Sequence, residues 1–251
     1  QTVLDTLSAM DASPFVYSLD EENPTDGDPL TTCYREITNE PMRRFCEERI
    51  SRYRKPFLQI QSAADIPGRI IYFCLIDSEE KIRSADKIIL PGVGAFADAA
   101  KKLKDSGLGQ LVCELAAKGK PILGICLGMQ MLFEKSFEYG AHMGLGLIKG
   151  YVGPLEGQIP KELKIPHMGW NKLDVCNDSP ILEGIDGEYF YFVHSYHVVP
   201  DDGAIIAGVC EYGGDVVASL SQNNLFSTQF HPEKSGVAGL KILKNFTNLE
   251  I

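Results

Sequence analysis

Apolar and polar residues follow two different periods along the chain. The segments "RIIYFCLID" and "ADKIILPG" are apolar, β-branched runs of strand length, and "PILGIC" reads as another buried strand. Residues 95 to 120, between the last two strands, and the segment "LGMQMLFEKS" after them have a helical period. Continuous apolar strands that alternate with helices are typical of a parallel sheet covered on both faces. We therefore predict an α/β fold with three layers and a mostly parallel central sheet.

After Gly146 the pattern changes to shorter strands. The segments "GLIKGYVGPL", "IPHMGWNKLDV" and "EYFYFVHSYHVVP" have strand character, and "DVVASLSQ", "NN" and "LFSTQFH" together predict a hairpin. The segment "GVAGLKILKNFTNLE" has a helical period. We expect short antiparallel strands in the C-terminal half, followed by a closing helix.

The first 68 residues have a different character. Residues 1 to 30 hold seven acidic residues and neither Lys nor Arg, whereas residues 31 to 55 hold seven basic and four acidic residues. Residues 39 to 54 have the spacing of a basic amphipathic helix, and residues 13 to 19, "SPFVYSL", can form a strand. We place a boundary here, with an atypical N-terminal segment over 1–68 and the main domain over 69–251.

Charge and cysteine content exclude several classes of protein. The net charge of -10 argues against binding of nucleic acid, because protein surfaces that bind nucleic acid are basic. The chain has no apolar run of membrane-spanning length, and its N-terminus lacks the pattern of a secretory signal, so we expect a cytoplasmic protein without a membrane partner. The seven cysteines include no C-x-x-C pair and no zinc spacing, which predicts reduced thiols and neither metal nor cofactor.

One cysteine stands between two glycines where a strand passes into a helix. In "GICLG", Cys126 occupies the middle of a turn that forces this residue into a strained, exposed position. A helix N-terminus behind it favours negative charge and offers N–H groups to a developing oxyanion. The pattern indicates a nucleophilic thiol, although a small buried cysteine is an equally good interpretation of the turn alone.

A second motif supplies the partner that a nucleophilic thiol requires. In "QFHPEKS", His231 and Glu233 lie two residues apart, so that in an extended segment both side chains leave the same face. A carboxylate there can orient the imidazole while the other ring nitrogen meets a thiol. The motif alone also fits a surface turn. Taken with the Cys126 turn, it favours catalysis.

A third motif, "LPGVGAF", offers backbone donors. Its two glycines precede a helix but lack the spacing and the Lys of a phosphate-binding loop. The alternative is an oxyanion loop, in which the N–H of Gly94 joins that of Leu127 to hold a tetrahedral oxygen.

In their order and separations, "PGVGAF", "GICLGMQ", "PHMGWN", "YFVHSYH" and "QFHPEKS" resemble the motifs of class I (triad) glutamine amidotransferases. Within this class the chain is most similar to the glutaminase subunits of imidazole glycerol phosphate synthases, which act in histidine biosynthesis. The likeness runs from about Ser78 to the C-terminus. It implies that Cys126 is the nucleophile, that His231 is general base and then acid, and that Glu233 orients His231.

The resemblance also implies a substrate site and a partner. Glutamine would be held by Gly92, Gln130, Ser195 and Tyr196, and ammonia would pass to a (β/α)8 cyclase subunit in a heterodimer. The segment "PHMGWN" would lie near that partner or serve a buried structural role. The roughly 70 residues outside the glutaminase region are too few for a barrel, which supports a separate acceptor subunit.

The chain departs from the family at its start. The family opens with a strand and a D-Y-G-x-G-N turn, and this sequence has no such turn. Residues 13 to 19 with a crossover helix over 39 to 54 are one candidate replacement; a fusion, a misassigned start or a disordered tail are others. Three further functions stay open: a glutaminase that supplies an amino- or amidino-sugar pathway, a catalytically impaired binding subunit, and a cysteine hydrolase or peptidase.

Overall fold

The structure is a computed structural model that describes residues 79–250 and, before them, the backbone of four strands. The chain divides into two compact units, Gln1–Ile76 and Asp77–Ile251. The sequence-based boundary at 68/69 falls slightly earlier. The strand predicted at "RIIYFCLID" begins at Arg69 and pairs with a strand of the first unit, so its expected place in the parallel sheet of the main domain is wrong. Each unit is described by itself.

The described part of the first unit is a four-stranded sheet. Its strands are β1 (Phe15–Leu19), β2 (Leu30–Tyr34), β3 (Phe57–Gln59) and β4 (Arg69–Tyr72), in the order β3-β2-β1-β4. Strand β1 lies beside β4, as we expected of the segment 13–19, but the two run antiparallel. A crossover unit requires parallel strands, so that part of the hypothesis is wrong. The helix expected over 39–54 lies outside the described residues.

The second unit begins with alternating helices and strands, which the sequence predicts apart from the first helix. They are α1 (Glu79–Ser84), β5 (Ile88–Gly92), α2 (Phe96–Asp105), α3 (Leu108–Ala117), β6 (Ile122–Cys126) and the short helix α4 (Leu127–Met131). The helical stretch 95–120 divides at Gly107, which adopts a left-handed φ of 73° that favours glycine. All five residues of β6 are buried, as expected for a central strand covered on both faces.

The helix expected over "LGMQMLFEKS" ends at Met131. That expectation is wrong for Phe133–Ser136, because this segment pairs with Ile148–Pro154 as a strand instead. Shorter strands follow, and those after Gly146 come in the order that the sequence predicts. They are β7 (Phe133–Ser136), β8 (His142–Met143), β9 (Ile148–Pro154), β10 (His167–Lys172), β11 (Asp174–Val175), β12 (Tyr189–His194), β13 (Tyr196–Pro200), β14 (Ile206–Glu211), β15 (Asp215–Gln222) and β16 (Leu225–Thr228). Strands β15 and β16 form the predicted hairpin, and the left-handed φ of 54° at Asn223 makes its turn. Helix α5 (Gly236–Thr247) closes the unit.

The central sheet has the order β11-β14-β15-β16-β6-β5. The pairs β5–β6 and β6–β16 are parallel, and the other pairs are antiparallel. The α/β class is confirmed, and the sheet is mixed rather than mostly parallel because β14, β15 and β16 are joined by turns too short for a parallel connection. A second sheet, β13-β9-β7-β8, and the pair β10–β12 stand beside it.

The main hydrophobic core packs around β6 and α4. Its fully buried members include Phe96, Ile122, Met129, Leu132 and Phe133. Because strand and helix on both sides of Cys126 are embedded in this core, the turn between them has a fixed position. No helix in the described ranges is both long enough and apolar enough to cross a membrane.

Candidate active site

Cys126 lies at the junction of β6 and α4 in a backbone conformation that side chains rarely adopt. Its φ is 54° and its ψ is -111°, which confirms the strained turn predicted from the sequence. The two flanking glycines are required by close packing. A Cβ on Gly128 would lie 1.7 Å from the carbonyl oxygen of Leu90, and a Cβ on Gly124 would lie 2.8 Å from that of Gly128. Cys126 is only 7% exposed, so the expectation of an exposed position is wrong: packing around the turn buries the residue.

His231 and Glu233 are brought together as predicted, but by a different local structure. His231 Nδ1 lies 2.7 Å from Glu233 Oε1. His231 itself is extended, whereas Pro232–Lys234 forms one turn of 3-10 helix with Pro232 at its start. The expectation of an extended H-P-E segment is therefore wrong, because proline fixes φ in the helical range and suits a first helical position. The turn curls the carboxylate back onto the imidazole.

The imidazole of His231 lies between the carboxylate and the thiol. Burial lowers its pKa, but side-chain hydrogen bonds to Cys126 and Glu233 outweigh that effect and raise the pKa to about 9. Since Nδ1 is engaged by Glu233, the nitrogen that meets Cys126 is Nε2. At neutral pH this ring is therefore an imidazolium, which stabilises negative charge on the sulfur.

A cleft opens onto Cys126 and His231, and most of the predicted site residues line it. Five of them do so: Gly94, Leu127, Gln130, Ser195 and Tyr196. Gly92 instead pairs with Cys126 across β5 and β6, and its Cα packs against Leu127. Gly94 has a left-handed φ of 93° and open space around its Cα. The cleft is thus lined by the nucleophile Cys126, by the loop that offers backbone N–H donors, and by polar side chains such as that of Gln130.

Glu138 is a cleft residue that the sequence patterns did not single out. Its Oε2 accepts a hydrogen bond of 2.6 Å from the backbone N–H of Phe96, the first residue of α2. A carboxylate at a helix N-terminus is favourable. This contact ties the loop Gly92–Phe96 to the opposite wall of the cleft. The two partners are 42 positions apart in the sequence, so no local pattern predicts their contact.

A chain of buried polar groups lies beneath the cleft. The carbonyl oxygen of Tyr196 accepts hydrogen bonds from His194 Nδ1 at 2.9 Å and from Gln130 Nε2 at 3.1 Å. His194 Nε2 in turn lies 3.0 Å from His167 Nδ1. Burial lowers the pKa of His194 to about 3, so this imidazole is neutral. The backbone at Tyr196 is therefore held in place from two sides.

The segment "PHMGWN" forms strand β10, which has one inner and one outer face. His167 is buried and stacks on Phe192 and on Tyr212. Its Nε2 lies 2.8 Å from Asn171 Oδ1, so both residues have structural roles. Met168 and Trp170 project outward and are 60% and 53% exposed. Exposed large apolar side chains on one strand are typical of an interaction surface.

The other described cysteines lack this environment. Burial raises the pKa of Cys210 to about 12 and also raises that of Cys113, so both thiols stay protonated. Cys176 is exposed. Within the described residues, no group of three or more His, Cys, Asp or Glu side chains could hold a metal ion.

Comparison with known proteins agrees with this site. The family model "Glutamine amidotransferase class-I" matches residues 39–249. A protein of Caldanaerobacter subterraneus, named imidazole glycerol phosphate synthase subunit HisH, is 51% identical over 177 residues, which are 70% of this chain and 85% of that protein. A protein of the same name from Methanocaldococcus jannaschii is 45% identical over 191 residues, which are 76% of this chain and 92% of its own length.

A solved structure supports the fold. The structure titled "Crystal structure of glutamine amidotransferase" aligns with a TM-score of 0.53 at 16% identity and covers 81% of this chain and 93% of its own. The family model matches from residue 39, whereas the sequence motifs indicated a likeness only from about Ser78. Since the family model spans most of the chain and a relative of 51% identity matches 70% of it, the chain belongs to the class I glutamine amidotransferases.

Proposed function

We propose that this chain is the glutaminase subunit of an imidazole glycerol phosphate synthase, in which a Cys126–His231–Glu233 triad hydrolyses the side-chain amide of glutamine. The observation that carries the proposal is the position of His231 between the strained Cys126 and the carboxylate of Glu233. The names of relatives that are 45% to 51% identical support the choice of synthase.

The chemistry follows from the protonation of His231. The Cys126 thiolate attacks the amide carbon of glutamine, and a tetrahedral oxyanion forms. His231, which holds a proton at neutral pH, gives it to the departing ammonia and leaves a thioester. His231 then removes a proton from water, and the resulting attack releases glutamate. Glu233 keeps the Nδ1 proton in place throughout.

The cleft offers groups for both parts of the substrate. The N–H groups of Gly94 and Leu127 are our candidates for the oxyanion hole, since both residues line the cleft at Cys126. Gln130, Ser195 and Tyr196 are our candidates for holding the α-amino and α-carboxyl groups of glutamine. Gly92 contributes by its lack of a side chain, because a Cβ there would lie 2.9 Å from the Cβ of Leu127.

Ammonia is useful to a biosynthetic enzyme only where it is delivered. We place this chain in a cytoplasmic heterodimer with a (β/α)8 cyclase subunit, and we assign the outer face of β10, with Met168 and Trp170, to that contact. The relatives' names describe them as subunits of a synthase, which supports a partner of this kind.

The experiment combines the full chain with a cyclase subunit of a relative, the nucleotide substrate and glutamine labelled with ¹⁵N in its side-chain amide. Excess unlabelled ammonium is present in solution. We expect ¹⁵N in the imidazole glycerol phosphate that forms, because the ammonia passes between the subunits. Release of labelled ammonia to the solvent without labelled product would favour the alternative hypothesis, in which this glutaminase supplies ammonia to another pathway, such as that of an amino- or amidino-sugar.

A matched pair of variants tests the contact surface. Met168→Asp places a charge on the outer face of β10, and Met143→Asp does the same on β8, where the methionine is 73% exposed. We expect Met168→Asp to weaken association with the cyclase at least tenfold and Met143→Asp to leave it unchanged. Equal affinities for both variants would remove β10 from the interface.

A further inference from the structure

One buried glutamine contacts the nucleophile but has no role in the chemistry above. Gln229 is 0% exposed, and its Nε2 lies 3.7 Å from the Sγ of Cys126. Its Oε1 lies 3.1 Å from Gln130 Nε2, which also donates to the carbonyl oxygen of Tyr196. A continuous hydrogen-bonded chain therefore runs from the backbone at Tyr196 through two amides to the sulfur.

The carbonyl of Tyr196 fixes the orientation of both side-chain amides in this hydrogen-bonded series. The carbonyl oxygen of Tyr196 can only accept, so the atom of Gln130 that faces it must be the Nε2 amide nitrogen. That nitrogen requires an acceptor on its other side, which must be Oε1 of Gln229. The remaining polar atom of Gln229 is then Nε2, a donor. The sulfur of Cys126 consequently receives an N–H group and cannot meet a carbonyl oxygen.

Backbone hydrogen bonds hold Gln229 in this place, in the bend that follows β16. Its backbone N–H donates to the carbonyl of Ala218 at 2.8 Å, and the N–H of His231 donates to that of Tyr191 at 3.0 Å. Between them, Phe230 is fully buried against Phe190. Gln229 and His231 therefore both reach Cys126 from this one short segment.

We infer that Gln229 stabilises the thiolate of Cys126 by donating a hydrogen bond to its sulfur, and that Gln130 and the carbonyl of Tyr196 hold Gln229 in the donating orientation. A donor favours the ionised sulfur over the thiol, because a hydrogen bond to a charged acceptor is roughly twice as strong as a neutral one. No proton is transferred from Gln229. The inference rests on the proposed nucleophilic role of Cys126.

The test measures the ionisation of Cys126 directly. The full chain is alkylated with iodoacetamide across a pH series, and the modified Cys126 peptide is quantified by mass spectrometry. Gln229→Met removes the donor, and Gln229→Glu replaces it with an isosteric acceptor. Gln222→Met, on the neighbouring strand β15, is the matched control.

We expect alkylation of Cys126 at pH 7 to be about 10-fold slower in Gln229→Met, slower still in Gln229→Glu, and unchanged in Gln222→Met. The pH of half-maximal alkylation rises correspondingly in the two Gln229 variants. Profiles of both variants that coincide with that of the wild type would overturn the inference. Alkylation requires neither glutamine nor a partner, so its outcome is independent of whether the chain releases glutamate.

A measurement on the unsubstituted side chain covers the case in which the Gln229 variants fail to fold. The ¹H and ¹⁵N resonances of the Gln229 side-chain amide are compared between the wild type and Cys126→Ala. A hydrogen bond to the sulfur predicts that one amide proton moves upfield when the sulfur is removed. Unchanged amide resonances would contradict the contact.

Discussion

Glu233→Gln is the sharpest perturbation of the triad, because it removes one charge without changing the shape of the side chain. Glu233 Oε1 lies 2.7 Å from His231 Nδ1, and the other carboxylate oxygen, Oε2, is buried with no hydrogen-bond partner among the described residues. The amide group of Gln can therefore occupy the same space. Its carbonyl oxygen can still accept the Nδ1 hydrogen, so the tautomer of His231 is retained.

The expected magnitude follows from the loss of charge. A hydrogen bond to a charged group stabilises by about 1.5–3 kcal/mol and a neutral one by about 1 kcal/mol, which leaves a difference of about 0.5–2 kcal/mol. Since 1.36 kcal/mol corresponds to one pH unit, the pKa of His231 falls by about one unit from its value of about 9. We expect kcat for glutamate release to fall about 10-fold, because the imidazolium that protonates ammonia is less stable.

The assay is the pH dependence of glutamate release by the protein in complex with its cyclase. Activity requires protonated His231, so the wild type loses activity as the pH rises through about 9, and Glu233→Gln loses it at lower pH. Glu162→Gln, an exposed carboxylate outside the cleft, is the charge control and keeps the wild-type profile. An alkaline limb that does not move in Glu233→Gln would refute the assignment of Glu233 to His231.

Three further predictions concern stability and can be measured by denaturant unfolding. Gly128→Ala places a Cβ against the carbonyl of Leu90, and we expect it to lower the free energy of unfolding by about 3 kcal/mol. Gly157 has open space around it, so we expect Gly157→Ala to cost only about 1 kcal/mol. Equal losses would contradict the close packing of Gly128. Asn224→Ala removes two hydrogen bonds to the carbonyls of Ala116 and Lys120. We expect the free energy of unfolding to fall by about 1–3 kcal/mol while glutamate release is unchanged. A fall of less than about 0.5 kcal/mol would show that these bonds do not stabilise the fold. The pKa of His194 in the folded state, about 3, lies below the ordinary value of 6.5, so its contribution to stability is complete above pH 6.5. That contribution is lost as the pH falls toward 3, by at most about 1.4 kcal/mol per pH unit. His194→Gln should reduce this loss of stability in acid, and an unchanged loss would exclude His194 as its source.

The sequence predicts those parts of the site that depend on local geometry. Cys126 between two glycines determines a strained turn with a positive φ, because only glycine tolerates the approach of Leu90 and of the neighbouring helix backbone. The pairing of His231 with Glu233 is predicted by their separation, although proline converts the expected extended segment into a 3-10 turn. The hairpin at Asn223 is likewise local.

The remaining features depend on contacts between distant segments. Gln229 lies within a motif that was recognised, yet its partner Cys126 is 103 residues away. Glu138 reaches Phe96 across a cleft that no local pattern describes. The antiparallel pairing of β1 with β4 joins two segments that are far apart in the sequence. Sequence periodicity shows which segments form strands but leaves their partners and directions open.

Glutamate release from glutamine, with and without a cyclase subunit and its nucleotide ligand, decides whether this chain is a glutaminase. Cys126→Ala provides the blank. We expect release that disappears in Cys126→Ala and increases when the cyclase and its ligand are present. Absence of release from the wild type under both conditions would exclude glutaminase activity and would favour a subunit that only binds its partner.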